Sequence, residues 1–153
     1  MRRLGNEIIH FFNSQGFVIA STVDKDGKVH TSCKGIVKIN LKGEVYLLDL
    51  YKHRTYENLK NNPHISITAV DEHRFLGYCL KGKARIIIED DIKPNIMKSW
   101  DDRITSRLSR RILKNIRDEK GHHSHPEALL PKPKYLIVMQ VQEIVDLTPQ
   151  HIK

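Results

Sequence analysis

The sequence predicts a mainly β fold, a six-stranded antiparallel barrel with peripheral helices. Three observations predict it. β-rich runs recur, and tight-turn signals join several of them, at Asp24-Lys25-Asp26-Gly27 and at Asn40-Leu41-Lys42-Gly43. Gly77 and Gly82 interrupt the longest run, as a bulged or strongly curved barrel strand requires. The chain has 153 residues, enough for one core, and closing the sheet removes its exposed edges. No repeat, low-complexity tract or Gly/Ser linker divides it, so one domain over 1–153 is expected.

Residues 4–15 read as a helix, with Leu4, Ile8, Ile9, Phe11 and Phe12 at helical spacing and Gly16 as a stop. Residues 17–23 are a strand, and the chain returns after Asp-Gly through 29–39 as a second. The turn at 40–43 leads into a third at 44–50. These make an antiparallel meander. Residues 53–62 read as a short helix ended by Pro63. A fourth strand at 64–70 and a fifth from about 75 to 88 follow. Residues 91–117 are helical: Ile104, Leu108, Ile112 and Ile116 recur every fourth residue, and Arg107, Arg110, Arg111, Lys114 and Arg117 form a basic outside. A polar loop over 118–133 precedes the last strand, 135–145, which alternates through Leu136, Val138, Gln140, Gln142 and Ile144.

Composition excludes several classes. No apolar run approaches the roughly 20 residues that span a bilayer, so no membrane association is expected. Asn6, Glu7, His10 and Asn13 interrupt the segment a signal peptide needs apolar. Cys33 and Cys79 form no CxxC, which argues against a disulfide framework or a cysteine-based zinc site and for a reducing cytoplasm. The formal net charge of +8 favours an anionic partner. No Gly-rich nucleotide loop, GxSxG or HExxH is present, and no catalytic residue is assigned.

Four places are candidates for chemistry. Lys52-His53-Arg54-Thr55-Tyr56 follows an apolar strand and opens a helix; Arg54 offers a donor fork, Thr55 a hydroxyl, and the helix start free N–H groups, which are the parts of a phosphate site. The alternative is a capped helix start, with Thr55 as cap. In the second strand His30, Ser32 and Lys34 share one face, which either points at a ligand or is the wet face of an edge strand. His122-His123-Ser124-His125 contains His-x-His, but Glu119 and Glu127 lie at no ligand spacing, so a polar loop is the better reading and no metal is assigned. The basic helix 103–117 has no recognition motif and no exposed aromatic array, so nucleic acid is disfavoured against a solvated face, a dimer rim or a ligand rim.

Taken in order, these pieces resemble a known family. The run Phe17-Val18-Ile19-Ala20-Ser21-Thr22-Val23 with its Asp-Gly turn resembles the first hairpin of the pyridoxamine 5′-phosphate oxidase-like family, the FMN-binding split barrels. Val45 to Leu50, then His53 to Leu59, then Asn62-Pro63-His64-Ile65, resemble its next block of strand, basic turn, helix and strand. Gly77-Tyr78 and Lys81-Gly82-Lys83-Ala84 resemble its later strand. The similarity covers roughly residues 5–90 well and the rest weakly.

The resemblance implies a split barrel of the FMN-binding type, a cytoplasmic homodimer with FMN in the clefts between subunits, and an oxidoreductase acting on a small substrate. Carried over by residue, it makes Arg54 and Thr55 phosphate-binding, sets Ser32 and Lys34 beside the flavin, and puts Asp49 and Leu50 at the flank of the ring. The end of the chain, Asp146-Leu147-Thr148-Pro149, departs from the Arg-Leu-x-Pro close of the true oxidases, which argues for a broader redox role than vitamin B6 chemistry. The competing reading is a cofactor module without turnover, holding FMN, haem or a deazaflavin. A nucleic-acid-binding domain ranks last.

Overall fold

The computed structural model describes residues 2–116 and 132–153, and for 108 and 110–116 the backbone alone. The histidine group at 122–125 lies outside the described residues. Helix α1 (Asn6–Ser14) leads into strands β1 (Val18–Val23), β2 (Val29–Ile39) and β3 (Glu44–Asp49). Helix α2 (Arg54–Asn61), β4 (His64–Asp71), β5 (Leu76–Ile88), α3 (Pro94–Ile116) and β6 (Tyr135–Asp146) follow. The strands close into one antiparallel barrel in the order β1-β2-β3-β6-β5-β4. This is the expected architecture: mainly β, six strands, helices at the periphery.

Local chemistry sets the turns. Asp24 Oδ1 accepts from the N–H groups of Asp26 and Lys28, at 2.8 and 2.9 Å, so the carboxylate there builds the hairpin. Asn40 Oδ1 accepts from Lys42 and Glu44 in the same way. Gly82 answers to packing rather than to a turn. A Cβ on it would lie 2.0 Å from the Gln140 carbonyl oxygen, beside the register shift between β5 and β6 at Lys81/Gly82.

The inward faces carry the main core, including Val18, Ala20, Ile36, Leu47, Ile67, Leu80 and Ile137. The two short helices plug opposite ends. At one end α1 inserts Leu4, Phe11 and Phe12, with the Phe11 ring 5.1 Å from Tyr78 at the start of β5. At the other, Asn58 of α2 donates to Thr22 Oγ1 at 3.0 Å, and the Tyr56 ring stands 5.0 Å from that of Tyr135.

A second apolar layer covers part of the outside. Ile92 and Ile96, just before and within α3, pack on Val37, Leu48, Leu136 and Val138. The first half of β6 is therefore buried on both faces, whereas alternation predicted one wet face; α3 covers what would otherwise meet solvent. Cys33 and Cys79 are both free thiols. No described helix is long and apolar enough to cross a membrane.

Candidate functional site

Lys34 is paired with Val18, a core residue, so its side chain shares the inner face of the wall. Asp49 is paired with Tyr135 across β3 and β6 and shares that face. There Asp49 Oδ2 accepts from Lys34 Nζ and from Tyr135 OH, each at 2.5 Å, and Oδ1 accepts from the Leu50 N–H at 2.9 Å. The Lys34 and Asp49 side chains are 9% and 11% exposed, so this is a nearly buried ion pair with a third donor. Burial, then the hydrogen bond and charge of Asp49, push the Tyr135 phenol well above its ordinary pKa. The wet edge-strand reading of Lys34 is thereby corrected, because β2 lies between β1 and β3 in a closed barrel and has no free edge.

Ser32 and Thr55 also meet, with hydroxyl oxygens 3.1 Å apart. Thr55 is buried and is the second residue of α2. The N-cap position belongs to His53, whose side chain makes no capping bond. Thr55 as helix cap is therefore corrected: the strand beneath the helix offers its hydroxyl a closer partner than the first turn does. Arg54, by contrast, is exposed and has no partner among the described residues, beside that uncapped helix start. Lys52 lies over the Tyr56 ring, 5.3 Å from its centroid.

The six residues expected to face a cofactor thus divide. Ser32 with Thr55 and Lys34 with Asp49 form two separate polar pairs. Arg54 stands outside at the basic turn, and Leu50 between them. A cleft of about 290 Å³ opens beneath α3, lined by Lys34, Asp49 and Leu50 and by Trp100, Arg103 and Arg107. Tyr135, Trp100 and Arg103 were not singled out by sequence reasoning. The signal for the helix residues was present: Trp100, Arg103, Ile104 and Arg107 fall at i, i+3, i+4 and i+7, one helical stripe. Nothing in the sequence marks Tyr135 as the partner of Asp49, 86 residues away. Among the described residues no group of three or more His, Cys, Asp or Glu side chains is placed to hold a metal.

The family model described as pyridoxamine 5′-phosphate oxidase matches residues 4–144. The chain belongs to the pyridoxamine 5′-phosphate oxidase family. Solved structures share the fold of this family member. HupZ of Group A Streptococcus is 20% identical, with a TM-score of 0.64 over 95% of this chain and 94% of that one. A Clostridium acetobutylicum protein related to general stress protein 26 is 17% identical, with a TM-score of 0.57 over 96% and 95%. The heme storage protein HutZ of Vibrio cholerae is 18% identical, with a TM-score of 0.55 over 94% of each chain. No curated protein matches the sequence.

Proposed function

We propose that this pyridoxamine 5′-phosphate oxidase family member binds FMN and works as a cytoplasmic homodimeric flavoprotein, an oxidoreductase acting on a small molecule. The observation that carries the proposal is Arg54, an exposed guanidinium without a partner among the described residues, at a helix start that no side chain caps. A phosphate dianion suits that place, because it takes the Arg54 fork, the charge of Lys52 and the free N–H groups of the first turn of α2. Thr55 and Ser32 fix the turn from inside, as either hydroxyl can donate and the other accept. Lys34, Asp49 and Leu50 flank the cleft that would hold the ring. Bound FMN supplies hydride or electron transfer.

A second subunit is supported by the outer wall of β1, β2 and β4. Val29, Thr31 and Cys33 stand there beside Ser66, Thr68 and Val70 with no acidic or basic side chain among them, and Val29 and Val70 are 69% and 61% exposed. Arg54→Ala is the test. Losing a charged hydrogen bond of about 1.5–3 kcal/mol predicts a ten- to hundredfold weaker FMN affinity. An unchanged affinity contradicts the phosphate assignment.

A second reading, a cofactor module without turnover, draws on the fold shared with the heme storage protein HutZ. A Soret band after reconstitution with haem, without an FMN band after FMN loading, selects it.

A further inference from the structure

We propose that the outer face of β5, where Lys81, Lys83 and Arg85 stand in one line, is a docking surface for the sugar-phosphate backbone of a single-stranded nucleic acid. The inference goes beyond the cofactor reading and does not rest on it.

The line follows from the strand. Gly82 and Ala84 are buried, so Lys81, Lys83 and Arg85 alternate with them on the solvent side, and all three are exposed. Neighbours in such a line stand roughly 6.7 Å apart, twice the rise of a strand. Phosphates along an extended nucleic-acid strand repeat at a similar distance. β5 is regular there, because the irregularity at Lys81/Gly82 places its extra residue, Gln142, on β6. A further cation lies across the sheet. One rung runs from Arg85 through Val138 and Tyr46 to Lys38, whose ammonium lies 5.5 Å from the centroid of the Tyr46 ring.

Few acids answer these cations. Glu143 lies 3.3 Å from Lys81. Glu44 is taken up by Asn40 and Tyr46, which both donate to it. Among the described residues no acidic side chain pairs with Lys38, Lys83 or Arg85. His64 and Ser66 on β4 and Gln142 on β6 flank the line with hydrogen-bonding groups that carry no fixed charge. The line holds no apolar side chain to enter a lipid layer, and it is a single row, whereas a duplex presents phosphates in two rows across a groove. A single strand therefore fits it best, and the net charge of +8 favours the encounter. The surface is the sheet and not the basic helix 103–117, which has no recognition motif.

Fluorescence anisotropy of a short labelled oligothymidylate, titrated with the full chain between about 50 and 200 mM salt, tests the proposal. Saturable binding is expected, with affinity falling on a log–log slope of about −2, three phosphate contacts at about −0.7 each. Lys83→Gln combined with Arg85→Gln is expected to weaken binding about tenfold or more at the lower salt and to reduce the slope by about 1.4. Arg74→Gln combined with Lys153→Gln removes the same charge near the opposite end of β5, and is expected to change neither. An unlabelled duplex of equal length, polyglutamate and phosphatidylglycerol vesicles are expected to compete less well than the unlabelled single strand. No binding at the lower salt, or an equal loss in the two double variants, overturns the proposal. Competition by the duplex, the polyglutamate or the vesicles that matches the single strand also overturns it. The titration needs no flavin, so failure of FMN to bind is read separately.

Discussion

Lys34 Nζ lies 2.5 Å from Asp49 Oδ2, and the β2–β3 register explains why. Gly35 pairs with Leu48, so one step further along the ladder places Lys34 opposite Asp49, both on the inner face. Asp49 in turn pairs with Tyr135 on β6. Lysine, aspartate and tyrosine thus form one rung across three neighbouring strands, at the end of the barrel that α2 closes.

Removing the carboxylate leaves a nearly buried ammonium without its counter-ion. Asp49→Asn is expected to destabilise the fold by about 3–5 kcal/mol, whereas Lys34→Met combined with Asp49→Leu recovers most of the loss. Urea unfolding of the two variants and the wild type checks this. Equal losses in both variants contradict the burial argument.

Tyr135 makes stability depend on pH in the alkaline range. Its folded pKa is raised above the ordinary 10.0, so its contribution is complete below about pH 10 and is lost as pH rises through the folded value. Tyr135→Phe is expected to cost about 1.5–3 kcal/mol at neutral pH, the worth of a hydrogen bond to a charged group, and to flatten the alkaline fall. Thermal melts of both proteins from pH 8 to pH 11 measure the difference in slope.

Gly82→Ala drives a methyl group into the Gln140 backbone, which a flexible side chain cannot relieve. A loss of about 1–3 kcal/mol or more is expected, through a shift of the β5–β6 register. The change appears in chemical unfolding, while an alanine that costs nothing there contradicts the close approach.

If the uncharged outer wall meets a second copy, a charge placed in it separates the subunits. Val70→Glu is expected to convert a dimer to a monomer in analytical ultracentrifugation and to leave the monomer folded, since Val70 is 61% exposed. A wild type that sediments as a monomer contradicts the homodimer.

The barrel was legible because its signals are local. Asp24 and Gly27, then Asn40 and Gly43, mark hairpins within a few residues, and Pro63 ends α2 where expected. Gly82 signalled a bulge before its cause, the Gln140 backbone, was visible. The start of α2 at Arg54 was legible for the same reason. What escaped depends on partners remote in sequence. Period-two alternation gives β6 one wet face, since nothing near it says that α3 covers Leu136 and Val138. Thr55 looked like a cap because Ser32 is 23 residues away. Asp49 gave no sign that Tyr135 would reach it. For Arg107 the sequence left a solvated face, a dimer rim and a ligand rim open, because the Gly16 carbonyl it reaches is 91 residues away.

The most direct test of the central claim, that this barrel holds FMN, is the visible absorbance spectrum of the wild-type protein after incubation with FMN and removal of the excess by desalting. A flavin band that survives desalting, near one FMN per chain, is the predicted result. A colourless protein contradicts it.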